Sequence, residues 1–228
     1  MINIEKNSLT KELSPSAEIL LGAAVFNQHA EEVAQLLLRV FRESEPWKEN
    51  SLTIEETRNR VKKYSKRPGF MPILIKVKDS LVAVAWYDTP SVQDKENFNS
   101  TTRNAELMRP VVEEYLKRNP DGIIIWAAEM VILPEYQGQG LRFAQKAEEK
   151  ISKFLWNWFL KEWSNKYPKG ALVFARIMSS NERMLDLAQK HGFIPTGIKY
   201  EASDLSKSNQ NSEAFHEFFV SEIPLNVK

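Results

Sequence analysis

Apolar positions recur at two spacings along this chain. Between His29 and Arg42 they return at Val33, Leu36, Leu37, Val40 and Phe41, a stripe of helical period. Thr53-Ile54-Glu55-Glu56 reads as a capping box that starts a second helix running to about Lys66. Residues 18–26 predict a first strand. Pro72 to Lys78 and Leu81 to Tyr87 form two apolar runs around Asp79-Ser80, the pattern of a hairpin. Ile123 to Leu133 is a long strand rich in β-branched residues, and Ala171 to Ile177 is a short one of the buried type. Phe215 to Ile223 predicts a closing strand with Ile198 to Ala202 as its partner. The stretch from Arg142 to about Trp163 predicts a long helix opened by a Gly-rich turn. Strands that first pair as a hairpin and then alternate with helices suit a mixed α/β sheet.

Residues 1–16 are polar and read as an extension, which leaves 17–228 as one domain. Residues 89–121 form an insertion between the hairpin and the next strand. Ser91 to Thr102 is rich in Asn, Ser and charge and reads as a loop. Ala105, Met108, Val112 and Tyr115 then recur at helical spacing, with Asn119-Pro120-Asp121-Gly122 as a stop. Two roles are open to this segment: a lid over a binding site, or a surface insertion packed on the sheet.

Composition narrows the function. At 228 residues the chain has room for one ordinary core, and 43% apolar with 27% charged residues is a soluble, globular balance. A net charge of +1 lacks the basic excess of a nucleic-acid binder. Absence of Cys excludes disulfides, Cys-ligated metals and a cysteine nucleophile. His29, His191 and His216 are scattered, and no metal site is expected. The start Met1-Ile2-Asn3-Ile4-Glu5-Lys6 has no signal-peptide core, and runs such as Gly122 to Ala128 are too short to cross a bilayer. A cytoplasmic protein without membrane partners is the expectation.

The chemistry concentrates in Val131 to Arg142. An apolar strand passes through Pro134 and Tyr136 into Gln137-Gly138-Gln139-Gly140-Leu141-Arg142. A Gly-rich turn at a helix start presents unpartnered N–H groups that suit a phosphate or pyrophosphate. Side chains at Gly138 or Gly140 would block close approach. The plain alternative is a tight strand-to-helix connection. No Gly-Lys-Ser/Thr follows, and the third Gly of a dinucleotide fingerprint is missing.

Val-x-Leu-Pro-x-Tyr-Gln-Gly-Gln-Gly resembles the acetyl-CoA motif of the GNAT superfamily of N-acetyltransferases, whose core is Gln/Arg-x-x-Gly-x-Gly/Ala. Gln137 and Gly140 match it, while Arg142 stands where the family usually has Gly or Ala. Asn181 to Phe193 resembles the family's Asn-led helix ending in Gly-Phe. The family often has Tyr, the acid for the departing thiolate, where this chain has Ala188. The resemblance spans roughly residues 17–224 and implies a mixed, mostly antiparallel sheet, flanked by helices and splayed at an acetyl-CoA site. It implies donor contacts from Val131, Ile132, Leu133, Gln137, Gly138, Gln139, Gly140, Leu141, Arg142 and Asn181. Asn181 is an N-cap in its own right, and a backbone N–H such as that of Val131 is a candidate donor to the thioester oxygen.

Glu129 is the candidate base. It lies two residues before Val131, so both side chains face the same way. Its alternatives are to hold the acceptor amine by charge or to sit on the rim. Asp88, at the hairpin's end, is a second carboxylate for the same cleft, or a turn residue. Glu43, Glu45 and Glu49 flank Pro46-Trp47 in a loop that borders the acceptor site in similar proteins, so Glu45 and Trp47 could receive a cationic amine. Trp156, Trp158 and Trp163 lie on the long helix; two are expected in the core, and any left exposed would mark a homodimer. The reading is an acetyl-CoA-dependent N-acetyltransferase acting directly on an amine, with the acceptor open among small amines or amino acids, aminoglycoside-like polyamines and peptide amines. A non-catalytic CoA-binding module and a nucleotide-phosphate protein are the alternatives.

Overall fold

The computed structural model describes residues 16–43, 51–143, 148–201 and 215–223. Strand β1 (Ser16–Leu21) leads into helices α1 (Ala23–Gln28) and α2 (Ala30–Glu43). Helix α3 (Ile54–Tyr64) precedes the hairpin of β2 (Met71–Val77) and β3 (Ser80–Asp88). The insertion carries α4 (Lys95–Asn99), a 3-10 turn at Ala105–Met108, and α5 (Arg109–Arg118). Strand β4 (Ile123–Ile132) runs into a 3-10 turn at Pro134–Tyr136, then β5 (Gly140–Phe143) and β6 (Glu148–Lys150). Helix α6 (Ile151–Lys166), β7 (Ala171–Met178), α7 (Glu182–Lys190), β8 (Ile194–Glu201) and β9 (Phe215–Ile223) follow.

Among the described residues, nine strands form one sheet in the order β6-β5-β1-β2-β3-β4-β7-β9-β8. The β1–β5 and β4–β7 pairs are parallel, and the others are antiparallel. This is the mixed, mostly antiparallel, helix-flanked sheet that the sequence predicts. Strands β4 and β7 pair only over Ile123–Trp126 against Ala171–Phe174. Beyond that point β4 stays with β3 as far as Ile132, and β7 stays with β9 as far as Met178. The sheet is therefore splayed between β4 and β7. The parting coincides with a bulge: Trp86 faces Glu129 and Tyr87 faces Ala127, so Ala128 is the extra residue. An extra residue bends and over-twists the strand that holds it.

Both faces of the sheet are covered. On one, Trp86 of β3 packs against Phe26, Tyr64 and Phe70. On the other, Tyr87 meets Phe159 and Trp163 of α6 at 5.7 Å each. The insertion has a core of its own, in which Phe98, Met108, Val112 and Tyr115 bury against Trp126, Phe174 and Phe218. Among the described residues no helix is long and apolar enough to cross a membrane.

Capping fixes α3 as predicted. Thr53 Oγ1 accepts from the Glu56 N–H at 3.2 Å, and the Glu56 carboxylate accepts from the Thr53 N–H at 2.7 Å. Four expectations need correction. The first strand ends at Leu21, because Gly22 takes φ 94, a conformation that halts a strand. The hairpin turns at Lys78-Asp79, with Lys78 at φ 57. The segment read as a loop at 91–102 holds α4, capped by Asp94 and anchored by the buried Phe98. The Gly-rich turn does not open the long helix. Leu141 and Phe143 are buried with Arg142 half-exposed between them, the period of a strand, and β5 forms. Helix α6 starts only at Ile151, where its buried stripe through Phe154, Leu155, Trp156, Phe159 and Trp163 begins.

Candidate functional site

The splay opens an edge of β4. The Leu133 N–H donates to the Val82 oxygen at 2.9 Å, which sets the alternation along the β3–β4 ladder. Leu133, Val131 and Glu129 turn their backbone groups toward β3. Ile132 and Met130 turn theirs the other way, toward the gap before β7. The Val131 N–H, the expected donor, is thus committed to the ladder, and the N–H groups turned to the gap are those of Met130 and Ile132. Val131 and Leu133 are also buried as side chains. Gln137 folds back over the opening: its Nε2 donates to the Ile132 oxygen at 3.0 Å, and its Oε1 accepts from Arg183 Nη1 at 3.4 Å. This joins the turn after β4 to α7 across the mouth of the splay.

Glu129 lies on the lip, just past the bulge. Its side chain is 11% exposed, and Arg60 of α3 donates to it at 2.8 Å. Arg60 also lies over the Phe41 ring at 4.9 Å. The carboxylate is thus already paired with a guanidinium. Asp88 is on the same face of β3 as Trp86, the cross-strand partner of Glu129. It is only 1% exposed and does not line an open cleft. Arg67 Nη1 holds it at 3.1 Å and donates as well to the Thr101 carbonyl, while Nη2 donates to the Ser100 carbonyl, both in the insertion. Burial pushes the Asp88 carboxyl up to about 6, against the opposing charge of Arg67.

Gly138, at φ 81, has open space where a Cβ would stand, so the turn backbone is approachable there. Gln139 donates to the Glu135 carbonyl, and Arg39 of α2 clamps the Glu135 carboxylate at 2.8 and 3.2 Å. The structure does not bring Gly140, Leu141 and Arg142 to the splay. They stand in β5, between β6 and β1 and separated from β4 by β1, β2 and β3. Leu141 is fully buried there, and the Glu148 side chain fills the place of a Cβ on Gly140. Among the described residues no helix dipole backs the Gly-rich stretch, since α6 starts at Ile151. Asn181 caps α7 by accepting from the Met184 N–H at 3.2 Å. Glu45, Trp47 and Glu49 lie outside the described residues. His191 ends α7 stacked on Trp156 at 5.3 Å, and burial lowers its pKa, so the charged form is disfavoured at this helix end. Trp156 and Trp163 bury, and Trp158 is half-buried against Phe159. Among the described residues no cluster of His, Asp and Glu is placed to hold a metal.

Sequence reading missed Arg60, Tyr64 and Arg176, which other elements bring to the same place. The Tyr64 hydroxyl lies in the fields of Arg60, Glu129, Arg67 and Arg176, and burial raises its pKa. Arg176 carried a usable signal. It is the single charged residue in the strand Ala171-Leu172-Val173-Phe174-Ala175-Arg176-Ile177-Met178, where burial disfavours one.

No protein-family profile matches this sequence, and no curated protein does. Solved structures do match it in shape. A GNAT-family acetyltransferase from Streptococcus pneumoniae covers 91% of this chain and 100% of its own, at 15% identity and a TM-score of 0.53. The yncA protein of Salmonella typhimurium, solved with its cofactor acetyl-CoA, covers 93% and 97% at 12% identity and 0.56. The ribosomal-protein-S18-alanine N-acetyltransferase of Escherichia coli covers 93% and 99% at 10% identity and 0.51. Together with the splayed β4–β7 junction, these likenesses show that this chain has the fold of the GNAT N-acetyltransferases.

Proposed function

We propose that this chain is an acetyl-CoA-dependent N-acetyltransferase that transfers acetyl directly to an amine. The observation that carries the reading is the splay between β4 and β7 with the Glu129 carboxylate on its lip. The residues present suit the donor. Met130 and Ile132 offer backbone donors and acceptors to an extended chain of amides, as a neighbouring strand would. Gln137 releases the Ile132 carbonyl when such a chain arrives. Gly138 keeps the turn backbone approachable, and Arg183 offers a cation to phosphate oxygens.

The amine nitrogen bonds to the acetyl carbon as the C–S bond breaks. Of the two protons an ammonium loses, one goes through Glu129 to water and one leaves with the thiol. The chain has no Cys, so no cysteinyl acyl-enzyme forms. A second reading, a CoA-binding module without catalysis, draws on Ala188. This residue is fully buried and supplies no acid where similar proteins have Tyr.

One experiment separates them: thiol release from acetyl-CoA over a panel of amines, with calorimetry of CoA, ATP and NAD. Release is expected with some amine, and Glu129→Gln should lose about 100-fold or more in kcat with CoA affinity unchanged. A rise in acceptor KM alone would make Glu129 the holder of the amine. CoA binding without release supports the module, and tighter binding of ATP or NAD sinks both readings.

A further inference from the structure

The two lips of the splay carry opposite charges on one face of the sheet. Trp126 and Phe174 are the last paired residues of β4 and β7, and their rings meet at 5.0 Å on that face. Arg176 is two residues beyond Phe174, so its side chain returns to the same face. Glu129 is three residues beyond Trp126, but Ala128 is the bulge residue, so the parity is kept. Cross-strand pairing agrees: Asp88 faces Trp126 and Trp86 faces Glu129, and these two β3 residues share a face. A carboxylate on one lip thus stands opposite a guanidinium on the other.

Arg176 is half-buried, and among the described residues its hydrogen bond goes to a neutral group, the Tyr200 hydroxyl at 3.2 Å. Glu129 is compensated by Arg60, and Arg67 by Asp88. The fields that bear on Tyr64 are those of three guanidinium groups, Arg60, Arg67 and Arg176, and one carboxylate, Glu129. Burial keeps the Tyr64 phenol protonated, so its hydroxyl remains a donor. A half-buried cation whose described partner is neutral gains from an anion that joins it. A planar guanidinium matches the two oxygens of a carboxylate.

We propose that the acceptor is an amine that also carries a carboxylate, an amino acid in its zwitterionic form, with Arg176 binding the carboxylate while the amine faces Glu129. This rests on the acetyl-transfer reading. It selects among amines on charge. A polyamine or aminoglycoside brings only positive charge to a site whose excess is already positive, whereas a zwitterion matches both lips.

The test is thiol release from acetyl-CoA with matched acceptors: α-amino acids, their carboxamides, the amines that lack the carboxylate, and polyamines. The carboxylated members should show the highest kcat/KM. Arg176→Gln should raise their KM by about 10-fold or more, leave kcat and the acetyl-CoA KM near wild type, and erase the preference. Arg176→Lys should restore part of it. Release from carboxamides or polyamines as fast as from amino acids overturns the proposal and leaves acetyl transfer standing. So does a carboxylate preference that survives in Arg176→Gln. Release from no amine overturns acetyl transfer and this proposal with it. The wild-type panel decides the matter even if a variant does not fold.

Discussion

Glu129 and Asp88 are two carboxylates on one sheet face, each facing an Arg, and depth sets them apart. The Glu129 side chain keeps 11% of its surface exposed, and that of Asp88 keeps 2%. Asp88 Oδ1 has no hydrogen-bond partner, so desolvation outweighs Arg67 and raises the carboxyl from 3.8 to about 6. A carboxyl raised in the folded state binds its proton more tightly folded than unfolded. Its stabilising contribution is complete below about pH 4 and is lost as pH rises through about 6. That rise corresponds to about 3 kcal/mol at 1.36 kcal/mol per unit. Urea unfolding of the wild type should therefore show a fall in stability between pH 4 and 6.5 that Asp88→Asn lacks. In the variant Arg67 faces a neutral amide at every pH, so its own contribution does not vary across the window. Parallel pH profiles for the two proteins would remove Asp88 as the titrating group.

Periodic elements were legible where many residues repeat the same message. α2 repeats its stripe over several turns, β4 is a long apolar run, and β7 and β9 are dense in apolar residues, so all four stand close to their expected bounds. β5 offers only Leu141 and Phe143 as a period of two, too short a signal to outweigh the pull of the Gly-x-Gly pattern toward a helix start. The candidate carboxylate could be read from one strand, because Glu129 sits two residues before the Val131 to Arg142 stretch. Its partners come from α3 and β7, at distances along the chain that no local pattern encodes. The bulge at Ala128 was equally hidden, since only the β3 register reveals it. What holds the turn after β4 is again a long-range contact, the Arg39–Glu135 fork. Both side chains are 45% exposed, so the pair contributes at most about 1 kcal/mol to stability. Its effect belongs to the turn. Arg39→Gln should raise the acetyl-CoA KM severalfold while the melting temperature moves by no more than a few degrees. A large drop in melting temperature with an unchanged KM would assign the fork to the fold and not to the donor site.

At the scale of the whole molecule, the question is whether residues 89–121 cover the site as a lid or belong to the permanent body. The packing speaks for the body. Phe98 and Met108 are fully buried, and Phe98 lies 6.0 Å from the Phe174 ring with Arg109 over it at 5.2 Å. The same segment is tied down at Ser100 and Thr101 by Arg67, the guanidinium that also holds Asp88. A lid that opened in every turnover would expose this core each time, and its buried aromatic area would then add little to the closed state. The two cases differ in what Phe98→Ala does. If the insertion is permanent body, the cavity left behind should lower unfolding stability by about 3–5 kcal/mol. The urea transition should stay a single step, because the second core shares β4 and β7 with the first. If the insertion opens as a unit, Phe98→Ala should shift the main transition by well under 1 kcal/mol. Backbone amides of α5 should then exchange with solvent far faster than those of β7 in the wild type. Urea unfolding together with hydrogen exchange on α5 and β7 decides between them. Slow, matched exchange and a large shift are the expected result, and they would make the insertion a fixed wall of the acceptor side.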